Sequence, residues 1–187
     1  MPSIYSIGAM NQLGSSLKKA GFTARDITRL KKFENLSEIR SVIRGQAEIK
    51  AIEYFIDCDT DLFRHEILKV FEHKKDGQLR FNPSKINLYL SEKQSGDNSI
   101  NGNKLHKELK NMPVLNANVL DYLLANPKII PEEWKSKTIF FWGTIYNDYN
   151  GDLFVRYLCW CLGKFVGDYR WLGKNWKVSN PAALLAD

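Results

Sequence analysis

The spacing of apolar residues changes period along this chain. Met10, Leu13 and Leu17 recur at helical spacing, and Gly21 follows as a stop. Thr23 and Asp26 have the spacing of a capping box and open a second helix carrying Ile27 and Leu30. Asn35 and Glu38 repeat that signal before Ile39, Val42 and Ile43, with a stop at Gly45. Residues 51–57 are β-rich. Residues 62–71 set Phe63, Ile67, Val70 and Phe71 at the spacing of an amphipathic helix. Short strands are expected at 79–81 and at 85–90, where Ile86, Leu88 and Leu90 alternate. Residues 91–103 are polar with two glycines and read as an exposed loop. Helical signals return at 104–110 and at 117–125, the second capped by Asn116 and stopped before Pro127. Residues 131–134 predict one helical turn with Pro131 at its first position.

From Lys137 the period becomes two. Residues 137–146 predict a strand, and 147–152 a turn in which Asn150–Gly151 supplies positive φ. Residues 153–160 predict the return strand. Gly163 and Gly167 punctuate a further turn, and 168–176 follow as a third strand or an irregular aromatic loop. The fold class is therefore α+β: N-terminal short helices, a mixed middle, and a C-terminal antiparallel β-meander. Two parts are expected, a basic helical segment at 1–50 and an α+β domain at 51–187, β-rich and aromatic from about 137.

Charge sharpens that division. Residues 1–50 carry nine Lys/Arg against four Asp/Glu, a net of +5, and the remaining 137 residues add only +1 to the total of +6. Attraction to nucleic acid or another acidic partner should therefore sit at the N-terminal end, and Arg25, Arg29, Lys31 and Lys32 are the candidate contacts. Three short basic helices are also the raw material of a helix-turn-helix, although a solvated basic face explains them as well. No apolar run approaches the ~20 residues of a membrane helix, so no membrane partner is expected. The start has no charged region followed by an apolar one, and three cysteines make no disulfide framework. A cytoplasmic, reduced setting is the simplest reading.

Candidate chemistry is sparse. Asp57, Asp59 and Asp61 follow a β-rich segment, as carboxylates of phosphoryl-transfer enzymes do. No downstream lysine and acidic pair can be placed, and an acidic turn at a strand end is favoured. His65, His73 and His106 lie far apart and read as helix-surface histidines, with no zinc spacing. No metal, no cofactor and no nucleophile with its base are indicated, so binding is favoured over catalysis.

The tail carries the strongest compositional bias. Residues 140–176 hold twelve of the 23 aromatic residues. Beyond Trp160 alternation stops, and Cys161, Leu162, Val166, Asp168, Tyr169, Arg170, Lys174, Lys177 and Val178 mix bulky, charged and small side chains. Trp160, Trp171 and Trp176 read as buried anchors among these nine, which form a candidate ligand-binding face.

Stretches such as "GFTARDITRLKKFENLSEIRSVIRG", "PVLNANVLDYLLANPKIIPEEWK" and "FFWGTIYNDYNGDLFVRYLCW" resemble a family of uncharacterised bacterial proteins. The likeness covers most of residues 20–186 and implies no known reaction. It implies instead a tail with a tryptophan framework and changeable residues between. Such tails resemble the variable regions made by diversity-generating retroelements, which sit in C-type-lectin-like ligand-binding domains. The chain departs from that pattern at Phe165, Gly167 and Gly173, and in residues 62–70. The resemblance implies a binding protein for another protein or a glycan. The alternative is a nucleic-acid-binding or phage-related regulator using the basic helices.

Overall fold

The computed structural model describes residues 6–32, 36–49, 53–62 and 65–186. It is α+β and divides into two units, Met1–Ala51 and Ile52–Asp187. No helix among the described residues is long and apolar enough to cross a membrane.

The first unit holds α1 (Ile7–Lys19), α2 (Ala24–Lys31) and α3 (Leu36–Ile43). Ser6 caps α1 and Lys18–Lys19 close it, suiting the helix dipole. The capping box before α2 is present: Thr23 Oγ1 accepts from the Asp26 N–H, and an Asp26 oxygen accepts from the Thr23 N–H. Asn35, expected as the cap of α3, lies outside the described residues. None of the described residues in this unit is buried.

The second unit is built on a six-stranded sheet. Its strands are β1 (Tyr54–Asp57), β2 (Lys69–His73), β3 (Gln78–Phe81), β4 (Ile86–Tyr89), β5 (Ile100–Asn101), β6 (Ile139–Asn147), β7 (Leu153–Cys161), β8 (Lys164–Trp171), β9 (Asn175–Trp176) and β10 (Ala182–Leu185). The main sheet runs β4-β10-β6-β7-β8, with β2 against the later half of β6; β1–β3 and β5–β9 pair separately. Among the described residues only the β10–β6 contact is parallel. Helix α4 (Gly102–Leu109) places Leu105 and Leu109 with Phe140, Trp142, Val155 and Trp176. Helix α5 (Ala117–Ala125) places Val119, Leu120 and Leu123 with Ile139, Phe141 and Leu158. Successive β6 residues therefore enter different clusters, and Ile139–Tyr146 is buried without interruption. A near-continuous apolar run is what a strand covered on both faces requires, and the polar member, Thr144, accepts from the Ala117 N–H through its Oγ1 (2.9 Å).

Gly143 marks an irregularity in β6. Its N–H donates to the Leu115 carbonyl (2.9 Å), its own carbonyl accepts from the Lys74 N–H (2.7 Å), and the β6–β7 register shifts between Phe140 and Ile145. A Cβ there would stand 2.9 Å from the Asn116 backbone, so only glycine admits the start of α5 this close.

Several expectations need correction. Residues 69–73 form a strand and do not continue a helix, because Lys69–His73 pairs with Asn147–Thr144. The apolar stripe that suggested a helix is exposed at Ile67, Val70 and Phe71, and Phe63 lies outside the described residues. Residues 91–103 are not a free loop. Gln94 is buried and donates to the carbonyls of Lys177 (2.9 Å) and Asn180 (3.2 Å), and β5 pairs with β9. Pro131 precedes a 3-10 turn at Glu132–Ser136 and is not its first residue. In the 147–152 turn only Gly151 has positive φ, and the Asp148 carboxylate ties the turn by accepting from Asn150 and Asp152. The third strand is β8, and Gly167 lies within it.

Candidate binding site on the terminal hairpin

Strands β7 and β8 pair from Phe154↔Trp171 to Cys161↔Lys164, leaving Leu162–Gly163 as a two-residue loop. Such loops take turns in which the central residues have positive φ, and here φ is 49° at Leu162 and 81° at Gly163. Leucine is an unusual choice, since a left-handed backbone brings its Cβ against the next carbonyl oxygen. The side chain is 95% exposed. Beneath it Trp160 meets Phe165 edge to face (4.8 Å), and the Lys135 ammonium lies 4.0 Å from the Trp160 ring centre.

Pairing fixes which way each candidate faces. Paired residues share a face and neighbours alternate. Phe154, Arg156, Leu158 and Trp160 therefore stand with Phe165, Gly167, Tyr169 and Trp171 on the α5 side. The Arg156 guanidinium is bound there by Asp121 of α5 at 2.7 Å, and Tyr169 lies edge-on to Tyr146 and His65, both at 5.1 Å. Cys161, Val166, Asp168 and Arg170 stand on the other side, with Val155, Tyr157, Cys159 and Lys164. Tyr169 is thus separated from the other candidates of β8.

Contacts within the chain occupy part of the second group. Asp168 accepts from the Tyr169 N–H (2.7 Å) and from the Tyr157 hydroxyl (3.4 Å). Burial, then the Asp168 charge, pushes the Tyr157 hydroxyl up in pKa. Arg170 is half-buried: it donates to the Asn175 carbonyl (2.9 Å) and lies 4.8 Å from the Trp176 ring centre, and burial lowers its pKa. Burial, then neighbouring Cys161, raises the Cys159 thiol. Cys161, Leu162, Asp168, Lys174, Lys177 and Val178 are exposed, and Val166 is half-buried.

Of the three expected anchors, Trp176 is fully buried, but Trp160 and Trp171 are 37% and 41% exposed. Trp160 sits one pair from the hairpin tip, and Trp171 ends β8 beside Gly173 and Lys174. A Cβ at Gly173 would fall 2.4 Å from the Trp171 ring, which accounts for glycine at this position.

In the N-terminal unit Arg25, Thr28, Arg29 and Lys32 line one groove of about 420 Å³ along α2. Lys31 is on the same helix but does not line it.

The acidic turn is engaged in holding the backbone. Asp57 accepts from the Asp59 N–H (2.9 Å), which with Thr60 holds the Asp57 carboxyl below its ordinary pKa, and Asp59 accepts from the Gly77 N–H (3.1 Å). His73 lies on β2, not on a helix, and bonds Thr144 Oγ1 (2.9 Å) and the Cys58 carbonyl (3.1 Å). Among the described residues no three His, Cys, Asp or Glu side chains stand close enough to share a metal ion. Sequence reasoning missed the Arg156–Asp121 pair, whose members are 35 positions apart with no local signal to join them. Comparisons with protein-family models, curated proteins and solved structures give no match.

Proposed function

We propose that this protein is a binding protein, and that a protein or glycan ligand meets the β7–β8 hairpin and the exposed residues that follow it. The observation that carries this reading is Leu162, an apolar side chain held in water at 95% exposure on a backbone of φ 49°. Asn or Gly would make the same turn at lower cost, so folding alone does not select leucine there. Cys161 extends the surface on the side away from α5, and Asp168, Lys174, Lys177 and Val178 supply exposed polar and apolar neighbours. Tyr169 drops out of this surface because it faces α5, and Arg170 shapes it through Trp176. The test is a phage-displayed peptide library selected on the full chain and counter-screened on Leu162→Asn. Selected peptides should bind the variant at least about tenfold more weakly. Peptides that bind both forms equally, with the variant folded, would remove the hairpin from the site.

The finer part of the reading is a C-type-lectin-like variable domain in a cytoplasmic bacterial protein, diversified by a retroelement. It is supported by the resemblance of the tail and by the exposed, mixed chemistry of its surface. A reverse-transcriptase gene beside a near-copy of the tail-coding sequence would establish it, and a neighbourhood with neither would end it.

A second reading has its own observation. Arg25, Arg29 and Lys32 recur at four- and three-residue intervals on one face of α2, a spacing suited to nucleic-acid phosphates. Binding to duplex DNA or RNA should then weaken steeply with salt and vanish when Arg25, Arg29, Lys31 and Lys32 become Gln. Salt-independent binding, or binding that survives those changes, excludes it.

A further inference from the structure

We infer that the groove between α1 and α2 is a docking site for an acidic amphipathic helix of a partner protein. Met10, Leu13 and Leu17 recur along one stripe of α1 and form one wall; Phe22 and Ile27 contribute the other, enclosing about 490 Å³. Met10 and Leu13 are each 51% exposed and Phe22 is 43% exposed. No described residue of the N-terminal unit is buried, and the α1 stripe stays open to water at Met10 and Leu13. An amphipathic helix gains its stability by burying its apolar face, and among the described residues of this unit that burial is incomplete. A trough between two helices accepts side chains spaced three, four and seven residues apart on a third.

Charge selects the occupant. Residues 6–32 carry six cations (Lys18, Lys19, Arg25, Arg29, Lys31 and Lys32) against one carboxylate, Asp26. Asp26 is already engaged by the Thr23 N–H (2.9 Å) and hydroxyl (2.6 Å). A second copy of the chain would bring the same positive charge to the contact, whereas glutamates flanking an apolar stripe would complement it. Lys18 lines the groove itself.

The experiment measures fluorescence anisotropy of two labelled synthetic helical peptides titrated with the chain of residues 1–187. Both carry the same leucine stripe, one with glutamate and the other with lysine on the polar face. The glutamate peptide should bind saturably, and the lysine peptide at least about tenfold more weakly. Leu13→Gln with Leu17→Gln should weaken the glutamate peptide by a similar factor with helical circular dichroism unchanged. Leu162→Asn should leave it unaffected, which separates this site from the hairpin. Equal binding of both peptides, or indifference to the groove substitutions, overturns the proposal. Sedimentation showing a dimer that Leu13→Gln dissolves assigns the groove to a second copy and also overturns it. So does co-sedimentation with phosphatidylglycerol vesicles that Leu13→Gln abolishes, which assigns it to a lipid surface. If the double variant loses helicity, the comparison of the two peptides on the unaltered protein still decides.

Discussion

Asn116 joins three parts of the second unit through one amide. Its Oδ1 accepts from the N–H groups of Asn118 (3.1 Å) and Val119 (3.4 Å), capping α5, and its Nδ2 donates to the carbonyls of Cys58 (2.8 Å) and Lys74 (2.9 Å). Loss of the cap costs about 1 kcal/mol and each stranded carbonyl about 1 more, so Asn116→Ala should lower stability by about 3 kcal/mol in urea unfolding. A cost under about 1 kcal/mol would mean that water replaces the amide. The capping half of this role is legible in the sequence, because cap and helix are adjacent. The donor half is not, since Cys58 lies 58 positions away and Lys74 lies 42. Leu162 gives the opposite sign. Leu162→Asn relieves a left-handed leucine and should raise stability by about 1 kcal/mol, whereas a loss would show that the leucine packs against its own chain. Cys58 makes a pH prediction. Burial, then the charges of Asp76, Asp59 and Asp57, pushes its thiol up to about 11 from the model-compound value of 9.0. The folded chain keeps a proton that the unfolded chain releases, so stability is level below pH 9.0 and falls as pH rises towards 11. Cys58→Ala should flatten that decline, and an equally steep decline in the variant would assign it elsewhere.

Elements joined by local chemistry are the ones that the sequence shows. The β6–β7–β8 meander follows from alternation and short turns, and α5 from Asn116 and Pro127. Strand β2 was hidden because its apolar residues match a helical period over a short window, and only pairing with β6 decides between the two. The same limit applies to the site. The hairpin tip could be located from Gly163, whereas the side on which each candidate stands depends on the β7–β8 register. The register also brings Arg156 to Asp121, joining β7 to α5 at 2.7 Å with side chains 13% and 39% exposed. Burial works against the Arg156 charge, and Asp121 and Tyr146 more than restore it. Removing Asp121 alone strands a mostly buried guanidinium. Because Asp121 is partly solvated, Asp121→Ala should cost about 1–2 kcal/mol, below the range for a fully buried pair. Arg156→Met with Asp121→Ala should cost less than the sum of the single changes, as a double-mutant cycle in urea would show. Strict additivity would mean that the pair contributes nothing to joining strand and helix.

At the scale of the whole chain, the two units have opposite relations to water. Residues 52–187 bury Phe140, Phe141, Tyr146 and Trp176 completely, in clusters that draw on both helices and the sheet. A large-to-small change in such a core costs about 3–5 kcal/mol, which marks a cooperative unit. Residues 1–51 have caps, favourable dipole charges and an apolar stripe, but no described residue that is buried. Capping alone does not hold helices of 8 to 13 residues in water, because nucleation is costly and each added bond returns little. A fragment of residues 52–187 should therefore unfold in one sigmoidal transition by circular dichroism and by tryptophan fluorescence. A fragment of residues 1–51 should show weak helicity that declines gradually with temperature. Adding the glutamate-faced peptide should raise that helicity, since a covered stripe supplies the burial that the sequence alone does not. A sharp, cooperative melt of the isolated 1–51 fragment at low concentration would show that these helices do bury a core, and the case for an external helix in their groove would fall with it.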